Sequence, residues 1–171
     1  MRPLLHSVFK TLPAFTLAAL MTACVSMPQG APMVSAPSSA EASKQLQAYF
    51  WDLKAAYDSQ GQAMPHKNSS GQPAPRLQFD AQKVSLQNLC NMIGANYTLK
   101  DGHLEISVPM STKRACVDRD LMTLEQRMTT QLPQVQRFDF SGGAAPNLVL
   151  RFADGSRWEF AGTPAPQNQR Y

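Results

Sequence analysis

The chain has 171 residues, of which 43% are hydrophobic and 16% are charged, and its formal net charge is +4. This length suits one domain with flanking segments and is too short for two full cores. The mean hydropathy of -0.29 argues against a protein with several membrane spans. The chain contains no run of five Lys or Arg residues, so nucleic-acid binding is not expected.

The N-terminus has the features of an export signal. A basic stretch without acids (residues 1–10) precedes an apolar stretch (residues 12–20) that is too short to span a bilayer as a helix. The sequence LMTAC at residues 20–24 resembles the bacterial lipobox, in which a signal peptidase cuts before a cysteine that carries lipid. We therefore expect a signal peptide at residues 1–23 and lipidation of Cys24. The alternative is a secreted protein in which this cysteine is incidental.

The segment after the expected cleavage site is rich in Pro, Ser and Ala. This composition predicts a flexible tether over residues 24–46. Such a tether would separate the folded domain from the membrane in which the lipids on Cys24 are anchored. Lipoproteins that stay at the inner membrane often have Asp after the lipidated cysteine, whereas this chain has Val25 and Ser26. This resemblance implies that the chain is anchored in the outer membrane, with its domain on the periplasmic face.

Two cysteines, Cys90 and Cys116, remain once Cys24 carries lipid. An oxidising periplasm favours a disulfide between them, and two free buried thiols or a functional thiol are the alternatives. A metal centre is not expected, because the mature chain has only His66 and His103 and lacks a CxxC or HxxxH spacing. The missing CxxC motif also argues against a redox-active site.

A hairpin is predicted around the dipeptide Asp101-Gly102, which separates strands at residues 95–100 and 103–108. A two-residue turn places three apolar pairs on one buried face: Leu99 with Leu104, Tyr97 with Ile106, and Ala95 with Val108. The turn chemistry and the alternation of apolar residues therefore predict the same register.

A second hairpin is predicted over residues 148–160. A two-residue Asp154-Gly155 loop would mix apolar and charged residues on one face. A three-residue loop with Gly155 in the left-handed conformation instead pairs Leu150 with Trp158 and Leu148 with Phe160. We therefore predict the three-residue loop.

The remaining pattern predicts more strands and one helix. The further strands are expected at residues 49–55, 76–79, 83–86 and 134–140. Residues 118–132 have apolar residues at helical spacing, with Asp118 as the N-cap. We expect a mainly β fold, a small antiparallel barrel-like sheet of about seven or eight strands with one packed α-helix. The domain is placed at residues 47–162, and residues 163–171 are expected to be a disordered tail.

Several short motifs occur in a recognisable order. Trp51-x-Leu53 opens the first strand, Cys90-Asn91 precedes the first hairpin, and Ser111-Thr112-x-x-Ala115-Cys116 follows it. With this order and separation, residues 49–160 resemble the META domain of HslJ-like bacterial envelope proteins. The resemblance implies the barrel-like sheet and a role in stress responses, antibiotic tolerance or envelope integrity. One departure is that Ser85–Leu89 stands where the family usually has glycines.

No residue pattern in the chain predicts catalysis. The mature chain lacks GxSxG, HExxH and Walker-type glycine loops, so we expect no catalytic residues, no cofactor and no enzymatic activity. We expect a non-catalytic interaction or scaffold module whose partner is an envelope protein. A carrier or pilot-like protein that binds a lipid or another apolar ligand inside the barrel is the alternative, and a hydrolase is a remote one. The aromatic residues that would line such a cavity are Tyr49, Trp51, Tyr97, Phe138, Phe140, Trp158 and Phe160.

The disulfide, if formed, would bring two polar segments together. We therefore hypothesise that Asn91, Asn96, Thr112, Lys113 and Arg114 lie near one another. They would either form a partner surface or satisfy backbone groups nearby.

Overall fold

The computed structural model describes residues 37–66, 71–143 and 145–166. The expected signal peptide, Cys24 and most of the expected tether lie outside these residues. The strands are β1 (Tyr49–Tyr57), β2 (Arg76–Phe79), β3 (Lys83–Gln87), β4 (Ile93–Lys100), β5 (His103–Ile106), β6 (Met110–Ser111), β7 (Val135–Ser141), β8 (Asn147–Phe152) and β9 (Arg157–Pro164). The helices are α1 (Ser39–Gln47), α2 (Arg119–Gln131) and a short 3-10 helix (Leu132–Gln134). Among the described residues, no helix is long and apolar enough to cross a bilayer.

The nine strands found in the described residues form one antiparallel sheet that is nearly closed into a barrel. Their order is β5-β4-β3-β2-β1-β9-β8-β7, and β6 pairs with the beginning of β4. The two end strands approach each other, since Nδ1 of His103 in β5 lies 3.3 Å from the backbone oxygen of Gln136 in β7. The mainly β, barrel-like prediction is confirmed, with the two-residue strand β6 as an element that the sequence pattern did not predict.

The first hairpin has the predicted turn and most of the predicted register. Asp101 and Gly102 both have positive φ, and Tyr97 pairs with Ile106 and Leu99 with Leu104. The predicted pair of Ala95 with Val108 is wrong. It fails because the pairing ends at Ser107, whose hydroxyl accepts a hydrogen bond from the backbone N–H of Asn96. Val108 then turns outward.

The second hairpin has the predicted register. Leu150 pairs with Trp158 and Leu148 with Phe160, and the chain turns through a three-residue loop in which Gly155 has φ +85°. The left-handed conformation of this glycine costs little, because glycine has no Cβ to clash.

Large aromatic side chains fill the inside of the barrel. Trp51, Trp158 and Phe160 are each at most 1% exposed. Neighbouring rings pack edge to face, with the centroids of Phe152 and Trp158 4.5 Å apart. The aromatic residues that the sequence offered as a cavity lining thus form or border the packed core.

The helix α2 lies where the sequence predicts it. The carboxylate of Asp118 accepts hydrogen bonds from the backbone N–H groups of Asp120 and Leu121, which confirms the predicted N-cap. Leu121, Leu124 and Met128 are buried along one face of the helix.

The helix α1 is a correction to the expected tether over 24–46, which is wrong for residues 39–46. Ser38 caps the helix by accepting a hydrogen bond from the N–H of Glu41, and Leu46 is fully buried. The indole N–H of Trp51 donates to the backbone oxygen of Leu46 at 2.9 Å. These tertiary contacts stabilise a helix whose own sequence has few apolar residues.

The expected disordered tail over 163–171 is also wrong in its first residues. The strand β9 continues to Pro164, which pairs with Tyr49, and the N–H of Ala165 donates to the oxygen of Ala48 at 2.9 Å. This segment is ordered by backbone hydrogen bonds to the beginning of β1 and to Ala48. A local sequence pattern does not reveal such a partner. The chain therefore enters and leaves the barrel side by side.

Candidate functional site

A disulfide joins two segments that are distant in sequence. Cys90 follows β3 and Cys116 precedes α2, their Cα atoms are 5.8 Å apart, and 26 positions separate them. This is the pairing expected for an exported protein. It fixes the segment from Ser107 to Arg119, which is mostly irregular, against the beginning of β4.

Asn91 connects three parts of the chain beside this disulfide. Its side-chain oxygen accepts hydrogen bonds from the N–H of Arg114 at 2.7 Å and from the hydroxyl of Thr112 at 3.0 Å. Its Nδ2 donates to Oε1 of Glu125 in α2 at 2.6 Å, and its backbone N–H donates to Oε2 of the same carboxylate at 2.8 Å. We call Asn91, Thr112 and Glu125 the Asn91 clamp.

The structure brings four of the five hypothesised residues close together and leaves Asn96 apart. Asn91 and Thr112 bond each other and the backbone around them, and Arg114 joins them through its backbone N–H. Lys113 is exposed beside them. Asn96 lies further along β4, opposite Lys83 of β3, and takes no part in the clamp. The side chains of Asn91 and Thr112 thus satisfy nearby backbone groups, and contact with a partner stays a prediction for Lys113 and Arg114.

Asn88 lies within Ser85–Leu89, where the sequence lacks the glycines of the family pattern that it otherwise resembles. Its φ is 61°, a left-handed value that asparagine tolerates better than most residues. Its Nδ2 donates to the backbone oxygen of Ala74 at 2.8 Å, which helps to hold this turn. Asparagine therefore adopts the positive φ that would otherwise favour a glycine at this position.

Exposed apolar side chains lie in the segments next to the two cysteines. Met92 is 68% exposed, Val108 81%, Met110 82% and Val117 100%. Lys113, Arg114 and Arg119 are exposed in the same segment or next to it. We define the disulfide face as these residues: Met92, Val108, Met110, Val117, Lys113, Arg114 and Arg119. Sequence alternation missed its apolar part, because it assigned Val108 to the buried side.

A groove of about 550 Å³ borders the disulfide face. Its lining includes Gln87, Asn88, Met92, Gly94 and Arg114. Leu86, Leu89 and Ile93 also line it, so the groove combines apolar surface with amide groups and one guanidinium.

A second depression, of about 510 Å³, lies between α2, the loop after β1 and the β8–β9 turn. In it, Nε2 of the buried Gln131 donates to the hydroxyl of Ser156, which donates to Oδ1 of Asp154 at 2.5 Å. The hydrogen bonds from the hydroxyl and the backbone N–H of Ser156 lower the pKa of Asp154 below its ordinary value. A carboxylate with a lowered pKa is a weak base, so this pair is poorly suited to activating a nucleophile.

Ser111, whose hydroxyl lies two residues before Lys113, also has a local hydrogen-bond partner. The hydroxyl of Ser111 donates to the backbone oxygen of Thr112 at 2.9 Å. Within the described ranges, no three His, Cys, Asp or Glu side chains are grouped so as to hold a metal ion.

Comparisons with known proteins agree with this architecture. No curated protein matches the sequence. A protein from Burkholderia xenovorans, solved by NMR, has a TM-score of 0.62 and 22% identity, and the match covers 80% of this chain and 97% of that one. A second protein solved by NMR has a TM-score of 0.47 and 19% identity, over 69% of this chain and 92% of that one. At such identities, the first match shows a shared fold alone.

The sequence itself gives the family. The model of the META domain matches residues 44–165, which is more than half of the chain. The matched range contains the barrel, the disulfide and both segments that the disulfide joins. The chain therefore belongs to the META domain family.

Proposed function

We propose that the chain is a lipid-anchored, non-catalytic interaction module of a bacterial envelope, which docks onto another envelope component through the disulfide face. The observation that carries this proposal is the group of exposed apolar side chains, with basic side chains among them, on a segment fixed by a disulfide. A rigid surface of this kind loses little conformational entropy on binding. Binding surfaces are commonly loops that a rigid scaffold positions.

The proposed address comes from the N-terminal sequence. Lipidation of Cys24 after removal of residues 1–23 would attach the domain to the outer membrane on its periplasmic side. The disulfide between Cys90 and Cys116 supports an oxidising compartment. Envelope integrity, stress responses and antibiotic tolerance are the processes that the resemblance to HslJ-like proteins suggests.

A carrier function receives less support than docking. Trp51, Trp158 and Phe160 occupy the space inside the barrel that an apolar ligand would need. The two depressions described above are open to solvent rather than enclosed within the barrel. The packed interior therefore favours a function at the surface.

Complementation of a deletion strain under envelope stress tests the proposal. The anchor variant Cys24→Ser should lose acyl labelling and membrane attachment, and the double variant Val108→Ser/Met110→Ser should lose complementation while it melts like the unaltered protein. Lys54→Ser, at an exposed position on β1 away from the disulfide face, serves as a control that should complement. Full complementation by the Val108/Met110 variant would refute docking through this face, and undiminished membrane attachment of the Cys24 variant would refute the anchor.

A further inference from the structure

We propose that the depression beside α2 binds a primary ammonium group carried on a short aliphatic chain. We call this site the α2 depression, and its lining includes Asp58, Met64, Arg127, Gln131, Asp154 and Ser156. The site shares no residue with the disulfide face. Amine binding is therefore a property separate from docking, and it does not depend on the proposed function.

A chain of hydrogen bonds fixes the orientation of the buried amide of Gln131. The hydrogen bonds from Ser156 lower the pKa of Asp154, so this carboxylate is ionised at neutral pH and can only accept. The hydroxyl of Ser156 gives its single proton to Asp154 and therefore can only accept from Gln131. The amide nitrogen of Gln131 must then face Ser156, which leaves Oε1 on the other side of the amide.

This Oε1 is a buried acceptor that lacks a donor. Gln131 is 9% exposed and lines the α2 depression. Among the described residues, no N–H or O–H group donates to its Oε1. A buried oxygen that stays unpaired costs about 1–3 kcal/mol, and buried polar atoms are for this reason nearly always paired. A molecule in the α2 depression can supply the missing donor.

The charge of the lining favours a cationic donor. The lining contains two carboxylates, those of Asp58 and Asp154, and its described residues include one basic side chain, Arg127, which leaves one net negative charge. Oδ1 of each carboxylate accepts hydrogen bonds from its own loop or turn, and neither Oδ2 has a partner among the described residues. Arg157, which follows the turn, is paired with Glu159.

The number of free acceptors also matches an ammonium group. Oε1 of Gln131 and the two Oδ2 atoms make three acceptors without a donor among the described residues. A primary ammonium group has three N–H donors and no acceptor. Hydrogen bonds between charged donors and carboxylates are stronger than those between neutral groups, so an ammonium group satisfies this lining better than an amide or a hydroxyl group.

Two contacts hold the walls of the α2 depression in place. A Cβ added to Gly155 would lie 3.7 Å from the Cβ of Ser59, so the β8–β9 turn packs against the loop after β1. Nη1 of Arg127 donates to the backbone oxygen of Pro65 at 2.7 Å, which joins α2 to the same loop. The site is thus formed before a ligand enters, and binding costs little ordering of the protein.

The rest of the lining suits an aliphatic chain better than a metal ion. Met64 lines the depression, and its thioether side chain can pack against methylene groups. A volume of about 510 Å³ is within the range of small-molecule sites. Calcium, in contrast, requires six to eight oxygen ligands. The described residues contain no group of three His, Cys, Asp or Glu side chains that could hold a metal ion.

Titration with cadaverine, a five-carbon diamine, tests the assignment. The full chain with Cys24→Ser keeps every described residue and carries no acyl chain, and two-dimensional NMR follows its amide groups. We expect saturable shifts of the side-chain amide of Gln131 and of the backbone N–H of Ser156. Pentanediol, the neutral analogue, should cause no saturable shift. Tetramethylammonium, which is charged but has no N–H donor, should bind at least fivefold less tightly.

Charge variants test the named carboxylates. Asp58→Asn keeps the Oδ1 that accepts the backbone hydrogen bonds and removes one charge. It should weaken cadaverine binding by about three- to fivefold, which corresponds to a solvent-accessible ion pair. The matched control, Asp101→Asn, removes one charge from the exposed hairpin turn, where asparagine also tolerates the positive φ, and should bind cadaverine unchanged.

The substitution Gln131→Met tests the buried oxygen. It replaces the amide with an apolar side chain of similar length and should weaken binding by about tenfold or more, because a hydrogen bond to a charged donor is lost. This variant also loses the bond to Ser156. Thermal unfolding therefore checks that it stays folded, and Asp58→Asn decides the test if it does not.

The contrary results are equally specific. No saturable shift at tens of millimolar cadaverine, or equal losses in Asp58→Asn and Asp101→Asn, would overturn the site. Calcium that shifts the same amides while cadaverine leaves them unchanged would also overturn it. Free lysine distinguishes the sources of the ammonium group. Tighter binding of lysine than of cadaverine supports an amino acid whose carboxylate meets Arg127, and the reverse order supports a polyamine.

Discussion

The substitution Asn91→Ala tests whether the Asn91 clamp holds the disulfide face to the barrel. It removes three side-chain hydrogen bonds, to the N–H of Arg114, the hydroxyl of Thr112 and the carboxylate of Glu125. A neutral hydrogen bond contributes about 1 kcal/mol and a bond to a charged group about 2 kcal/mol. Because water reaches this half-buried site, we expect the free energy of unfolding to fall by about 2–3 kcal/mol in total.

Urea unfolding with the disulfide intact measures this loss. With a slope near 2 kcal/mol per molar, the midpoint should fall by about 1–1.5 M urea. Asn96→Ala is the matched control, because this exposed asparagine lies outside the clamp, and its free energy of unfolding should change by at most about 0.5 kcal/mol. Equal changes in the two variants would refute the clamp.

A charge variant adds a second check on the same contact. In Asn91→Asp, an oxygen would replace the nitrogen that lies 2.6 Å from Oε1 of Glu125, so two carboxylates would face each other. We expect this variant to be at least as unstable as Asn91→Ala and to recover stability when combined with Glu125→Gln. Stability equal to the unaltered protein would contradict the hydrogen-bond assignment.

Three further predictions concern stability. Cys90→Ser/Cys116→Ser should lower the free energy of unfolding by about 3.5 kcal/mol, since it releases a loop closed over 26 positions, and an unchanged urea midpoint would contradict this. Trp51→Phe should cost about 2–4 kcal/mol, because it leaves the buried oxygen of Leu46 without its donor and reduces the core volume; thermal unfolding checks it. The lowered pKa of Asp154 stabilises the folded state above about pH 4, and this stability is lost as the pH falls through the folded-state pKa. Asp154→Asn should therefore flatten the stability profile in that acidic range, and a profile parallel to that of the unaltered protein would be the contrary result.

Local sequence signals predicted the hairpins because turn and strand chemistry act over a few residues. Asp101-Gly102 fixes a two-residue turn, and Gly155 fixes a longer one, so the apolar alternation beside each turn has only one consistent register. The N-cap at Asp118 could likewise be predicted, because apolar residues at helical spacing follow it directly in the sequence.

The missed features depend on contacts between distant segments. The helix α1 is ordered by packing of Leu46 and by the indole of Trp51, and its own pattern offers little apolar periodicity. The outward turn of Val108 depends on the Ser107 hydroxyl replacing a backbone partner and on the pairing of β6 with β4. Glu125 was not recognised as part of the site, because nothing in its own helix indicates that it faces Asn91. The disulfide could be predicted from the sequence, since only Cys90 and Cys116 remain once Cys24 is assigned to the expected lipid anchor.

The side-by-side entry and exit of the chain has a consequence for protein engineering. Tyr49 pairs with Pro164, and the N–H of Ala165 donates to the oxygen of Ala48, so the two ends of the sheet are adjacent. A linker that runs from Ala165 back along α1, about 14 Å, to Ser39 would join the ends into a ring and keep this helix. New termini can then be opened at the exposed Asp101-Gly102 turn without interrupting a strand. In such a circular permutant, β4 and β5 become terminal strands, and an anchor attached there would present a different side of the same barrel to its surroundings.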